Sequence, residues 1–238
     1  CVLLAAMVAI GLVNPAFWGL DNLFNLARAN VVIGIMALGV LLVMISGGID
    51  VSGPAIAAAA MYVTVRAMVA LHYDGVVLPF LAAGAIGLAL GAVNAFLIER
   101  FRMIPLIATL GTASIIRGLL LGLLGSSIVN INKMPRELIA FGRHDIVTLR
   151  TAGGASYGLS AMVPVYLGIA LAMHLVLRHS MIGRSVHAYG TDPEAARRVG
   201  FDTRRTIWFV YCTAGLLAGL AALLQGAMIW QANPRDFQ

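Results

Sequence analysis

Residues 76–125 read VVLPFLAAGAIGLALGAVNAFLIERFRMIPLIATLGTASIIRGLLLGLLG, and this stretch decides the fold. Two apolar runs, Val76–Ile98 and Ile104–Gly125, flank the short charged segment Glu99-Arg100-Phe101-Arg102. Each has the roughly 20 residues that a helix needs to cross a hydrocarbon core. Unbroken runs of this length do not fit the short alternating strands of a membrane β-barrel. Further apolar runs fall at Cys1–Val13, Val31–Ser46, Pro54–Ala70, Ala161–Leu177 and Ile207–Ala227. The expectation is an all-α, polytopic transmembrane helical bundle with about seven spans in one domain, 1–238.

Composition agrees. Of 238 residues, 61% are apolar and 11% charged, and the mean hydropathy is +0.93. Soluble domains have about 45–50% apolar and about 25% charged residues. The net charge of +6 is no sign of nucleic-acid binding, because the arginines cluster in short loops between apolar runs. The single lysine, Lys133, lies between Asn132 and Met134, so no Gly-x-x-x-x-Gly-Lys-Ser/Thr loop exists. The same fact excludes a retinal Schiff base within a membrane helix. Cys1 and Cys212 sit in apolar runs and read as inert thiols. The five histidines have no metal-ligand spacing. No Gly-x-Ser-x-Gly elbow, His-Glu-x-x-His motif or paired intramembrane carboxylates appear, so no catalytic or metal site is expected.

Charge sets the orientation. The segments 99–102 and 178–205 share a side and hold Arg100, Arg102, Arg178, Arg184, Arg197, Arg198, Arg204 and Arg205. Short arginine-dense loops face the cytoplasm. Asn14–Asn30, Leu71–Gly75, Ser126–Ser160 and Trp230–Gln238 then face outward, with Lys133, Arg136, Arg143 and Arg150 among them. Arg66 is near enough to an outer end to snorkel. Gly84, Gly87 and Gly91, Gly118 with Gly122, and Gly215 with Gly219 form small-residue faces for helix packing. The chain begins within an apolar run and ends in a polar segment, as a piece truncated at both ends would.

Within the cytoplasmic loop 178–206, Asp192 is placed to cap a short helix. Pro193 suits its first position, and Glu194 suits its positive end. Ala195 and Ala196 extend it, Arg197 and Arg198 complement its negative end, and Gly200 stops it. Pro193–Val199 is about seven residues, or roughly 10 Å. So short a helix does not hold itself in water, so it is either steadied by docking on a partner or part of a solvated loop.

Candidate pathway residues lie elsewhere. Gly47-Gly48-Ile49-Asp50-Val51-Ser52-Gly53 interrupts two short runs, and irregular backbone at membrane depth needs protein or a water-filled cavity around it. Asp50 and Ser52 either cap the next helix, ahead of Pro54, or meet a substrate or ion. Asn94, Thr109 and Arg117, with Thr112 and Ser114 nearby, either join helices or hydrogen-bond a passing hydroxylated solute.

These segments resemble sugar-type ABC importer permeases, the ribose and autoinducer-2 permease family. Gly48-Ile49-Asp50-Val51-Ser52-Gly53 is similar to that family's Gly-Ile-Asp-Leu-Ser-Val-Gly signature. Val93-Asn94-Ala95-Phe96-Leu97-Ile98 and Ile104-Pro105-Leu106-Ile107-Ala108-Thr109-Leu110-Gly111-Thr112 resemble its Asn-Gly and Pro-Phe-Ile-x-Thr-Leu-Gly-Thr segments. Arg117-Gly118 matches its Arg-Gly. Gly183-Arg184, Ala188-Tyr189-Gly190, Glu194-Ala195-Ala196-Arg197 and Gly200 resemble its cytoplasmic loop, and Gly215-Leu216-Leu217-Ala218-Gly219-Leu220-Ala221 its next helix.

The resemblance implies a non-enzymatic transport subunit in the bacterial inner membrane, in a family of roughly ten spans. Its partners would be a second permease copy, two ATP-binding subunits or one fused double ATPase, a periplasmic sugar-binding protein and the lipid bilayer. ATP and magnesium would reside on the ATPase, with no cofactor in this chain, and Pro193–Val199 would be the coupling helix. A permease for branched-chain amino acids or nucleosides is the nearest alternative. An ion-coupled secondary transporter is the alternative from another class, and dependence on an ATPase separates the two.

Overall fold

The computed structural model describes residues 2–150 and 156–237. The reading of Cys1 as an inert thiol falls outside them. The chain runs α1 (Val2–Val13), α2 (Leu20–Ile45), α3 (Gly53–Ala70), α4 (Val77–Phe101), α5 (Pro105–Leu124), α6 (Arg136–Arg143), β1 (Asp145–Arg150), β2 (Ser156–Ser160), α7 (Met162–His179), α8 (Met181–Thr191), α9 (Pro193–Arg198) and α10 (Thr203–Ile229). Among the described residues, α2, α3, α4, α5, α7 and α10 are long and apolar enough to cross a membrane. The chain is a polytopic helical membrane protein. The run at 1–13, expected as the remainder of a truncated first membrane helix, holds the 12-residue helix α1 at Val2–Val13.

The outer segment expected at Asn14–Asn30 is mostly helix. After a short 3-10 turn at Pro15–Trp18, α2 starts at Leu20 and runs for 26 residues. The apolar run begins only at Val31 because residues 21–30 are mixed in polarity, yet Asn22, Arg28 and Asn30 each find a backbone carbonyl. Asn22 Nδ2 donates to the Phe17 carbonyl at 2.8 Å, and Arg28 Nη2 to the Gly142 carbonyl at 2.6 Å. The region 126–160 also carries structure: α6 and the antiparallel pair β1–β2. Phe141 of α6 packs edge-on against Phe80 of α4, and the Arg143 guanidinium sits 4.2 Å from the Trp230 ring centroid.

The core is built on α10, which packs on α4, α2 and α3. Contact with α4 is closest because glycines face each other. A Cβ on Gly87 would lie 2.2 Å from the Gly215 carbonyl oxygen, and one on Gly219 2.3 Å from that of Ala83. Gly118 and Gly122 on α5 meet nothing within 4 Å, so those two small-residue faces differ in kind. Arg66, expected to snorkel, is exposed four residues before the end of α3. Its Nη1 donates to the Leu124 carbonyl at 2.7 Å, holding the C-terminus of α5 to α3.

Candidate functional site: a polar bridge and a capped short helix

Four of the five candidate pathway residues come together. Ser52 backbone N–H and Oγ–H both donate to Asp50 Oδ1, at 2.7 and 2.6 Å. Asn94 Nδ2 donates to Ser52 Oγ at 2.7 Å, and Thr112 Oγ1 donates to Asn94 Oδ1 at 2.7 Å. Thr109 Oγ1 accepts from the Val51 N–H at 3.2 Å. Ser52, Asn94, Thr109 and Thr112 are all buried. The chain of bonds ties the break between α2 and α3 to both α4 and α5. Asn94 stands seven residues before the end of α4, so the bridge lies roughly 10 Å in from the α4–α5 turn.

The expectation that Ser52 caps α3 with its side chain does not hold, because its hydroxyl is taken by Asp50 and Asn94. Asp50 acts from two residues earlier, accepting from the Ser52 N–H and folding the turn. Asp50 also faces a mostly apolar cavity of 250 Å³ between α2 and α10, lined in part by Met36, Gly39, Ala214 and Ala218. Arg117 is not part of the bridge. It is half-buried on α5 and makes no hydrogen bond or ion pair among the described residues. Thr112 carries the final link, though its sequence position marked it only as a polar neighbour.

Asn94→Leu is expected to leave the Ser52 and Thr112 hydroxyls short of a partner. The loss should be about 1–3 kcal/mol, lowering the melting temperature of the detergent-solubilised protein by about 3–10 °C. An unchanged melting temperature with abolished transport would instead place Asn94 on a solute path.

On the arginine-rich side, Ser180 Oγ accepts from Gly183 N at 3.0 Å and starts α8, an 11-residue helix where the sequence reading had only loop. Gly190 of α8 abuts the end of α2, where a Cβ would come 1.9 Å from the Ile45 carbonyl oxygen. Ser185 and Thr206 hydroxyls hydrogen-bond to each other, joining α8 to α10. Burial pushes the Tyr189 phenol up, so it stays neutral near pH 7.

Helix α9 follows the expected chemistry. Asp192 Oδ1 accepts from Glu194 N at 2.9 Å and Ala195 N at 3.0 Å, Pro193 opens the first turn, and Gly200 turns the chain with φ of +96°. Two details differ. Ala196 is only 4% exposed and packs inside this chain, leaving Ala195 as the outward alanine. Arg197, expected to complement the negative end of the helix, bonds to Glu194 at 2.9 Å.

Residues 22–238 match the family model described as branched-chain amino acid transport system / permease component. The ribose import permease protein RbsC of Escherichia coli K12 is 31% identical, over 98% of this chain and 70% of its own length. The autoinducer 2 import system permease protein LsrD of Escherichia coli O9:H4 is 30% identical, over 94% of this chain and 65% of its own. The probable ABC transporter permease protein y4mJ of Sinorhizobium fredii is also 30% identical, over 95% and 64%. No solved structure matches. The chain, a multi-pass membrane protein matched from α2 onward, belongs to this family of ABC transporter permease components.

Proposed function

We propose that this chain is the permease subunit of an ATP-driven ABC importer, carrying a sugar or sugar-like hydroxylated solute across the bacterial inner membrane by alternating access. The observation that carries the reading is α9: a capped helix exposed on most sides, set between two spans, within a chain similar along nearly its whole length to permeases named for ribose and autoinducer 2. A six-residue helix is too short to transmit force by its own stiffness, but α9 rests on α8 and leads through Gly200 into α10, the hub of the bundle.

ATP and magnesium would be held by the ATPase partner, one copy or half of it docked at each α9. The outward face of α5, with Gly111, Gly118 and Gly122 open and Ser114 exposed, would be covered by a second permease copy and would line the path together with Arg117. A periplasmic binding protein would deliver the solute. The bridge from Asp50 to Thr112 would hold the chain break in shape, and Asp50 would present its carboxylate at the cavity between α2 and α10.

The test is uptake into proteoliposomes holding this permease with its cognate ATPase and binding protein. Uptake of radiolabelled ribose should require ATP inside and be indifferent to ionophores. Uptake driven by an ion gradient without the ATPase would overturn the importer reading. The family description supports a second reading, and ATP-dependent uptake of leucine with none of ribose would establish it.

A further inference from the structure

A cleft of 480 Å³ opens beside α9, at the ends of α4 and α10. Its rim carries three arginines, Arg102, Arg197 and Arg204, against two glutamates, Glu99 and Glu194. Both glutamates are already engaged. Glu194 meets Arg197 at 2.9 Å, and Glu99 lies 3.8 Å from Arg204. Arg102 has no hydrogen bond or ion pair among the described residues. The three cations less the two anions leave a formal charge of +1, centred on the guanidinium that has no partner. The wall takes its apolar part from Ile98, Pro105 and Ile207, beside the hydroxyl-bearing Tyr189 and Thr203. A second cavity of 280 Å³ shares those three residues and reaches Gly47, Gly48 and Tyr211.

A basic rim beside a partly apolar wall, set where two spans end, suits the chemistry of a phosphate headgroup with its attached glycerol. The guanidinium fork suits phosphate geometry, since it donates two parallel N–H bonds. We propose that this cleft binds a phosphate group at the cytoplasmic membrane surface, with Arg102 as its principal ligand and Arg197 and Arg204 able to turn toward it. Because Arg197 belongs to α9, the occupant would touch the coupling element itself. The inference goes beyond the transport reading and does not depend on which solute is carried.

The experiment places the full-length permease in nanodiscs of mixed phosphatidylglycerol and phosphatidylcholine and counts retained lipid by native mass spectrometry. Arg102→Gln should lower phosphatidylglycerol retention about fivefold, as expected for one basic residue at the surface. Arg100→Gln, two residues away and outside the cleft, should not. If inorganic phosphate at millimolar concentration binds the protein in pure phosphatidylcholine discs, and Arg102→Gln removes that binding, the source is free phosphate. If retention and phosphate binding are both indifferent to Arg102, the proposal is overturned. It is equally overturned if Arg102→Gln leaves lipid retention intact and reduces co-purification of the ATPase, because the cleft is then part of the protein interface.

Discussion

Gly215→Val is expected to abolish the folded permease. A Cβ at this position would lie 2.3 Å from the Gly87 carbonyl oxygen and 2.9 Å from Gly91 Cα, and both are backbone atoms that no rotamer change can move. Overpacking a core ordinarily costs about 1–3 kcal/mol when side chains can adjust. Here helices α4 and α10 must separate, and α10 is the element on which α2 and α3 also rest. The loss should exceed about 3 kcal/mol, the upper end of that range, so the protein should aggregate or be degraded. Size-exclusion of the solubilised protein reads the outcome directly. Gly118→Val serves as the contrast, since nothing lies within 4 Å of that position, and its monomer should elute and melt normally. A normal profile for Gly215→Val would mean that the two helices are not packed as described.

Ala195→Trp should leave the permease abundant while it loses both ATPase co-purification and uptake. The residue is exposed on α9, so an indole there meets no part of this chain and collides only with a docked surface. Ala196→Trp, which looks equivalent in the sequence, should behave differently. Ala196 is buried, so its replacement strains the α8–α9 packing and lowers abundance before any interface is tested. Pull-down of the ATPase from membranes, run beside radiolabelled uptake and a blot for the permease, separates the two variants. If Ala195→Trp binds the ATPase and transports normally, α9 is only a solvated loop.

The contrast between those two alanines shows where sequence reading stops. Asp192, Pro193 and Gly200 announced α9 because capping, a fixed φ and a left-handed turn are local chemistry, written in consecutive residues. Which alanine faces inward depends on α8, and α8 is itself an amphipathic segment whose start is marked by little more than Ser180. The long spans were legible from hydropathy, but the start of α2 was not. Its first turns mix apolar with polar side chains, of which Asn22 and Arg28 are satisfied by Phe17 and Gly142, the latter far away in sequence.

The polar bridge was half legible for the same reason. Asp50 and Ser52 are neighbours, and their turn follows from spacing. The links to Asn94 and Thr112 span 42 and 18 residues, and only the packed helices align them. Arg117 seemed to belong with Thr109 and Thr112 along the chain. It points elsewhere because α5 turns through about 100° per residue, so near neighbours occupy different faces.

Synthesis order gives the position of α10 another meaning. Translation emits residues at about 5–20 per second, so the roughly 100 residues between Phe101 and Thr203 take on the order of 5–20 s to make. Through that interval α2, α3 and α4 reside in the membrane without the helix that will bind them. The contacts they can make early are those among themselves and α5, which include every bond from Asp50 to Thr112. The costliest groups to leave bare in lipid can therefore be satisfied first. The glycine seam, which exposes no unsatisfied side chain while it waits, can close last.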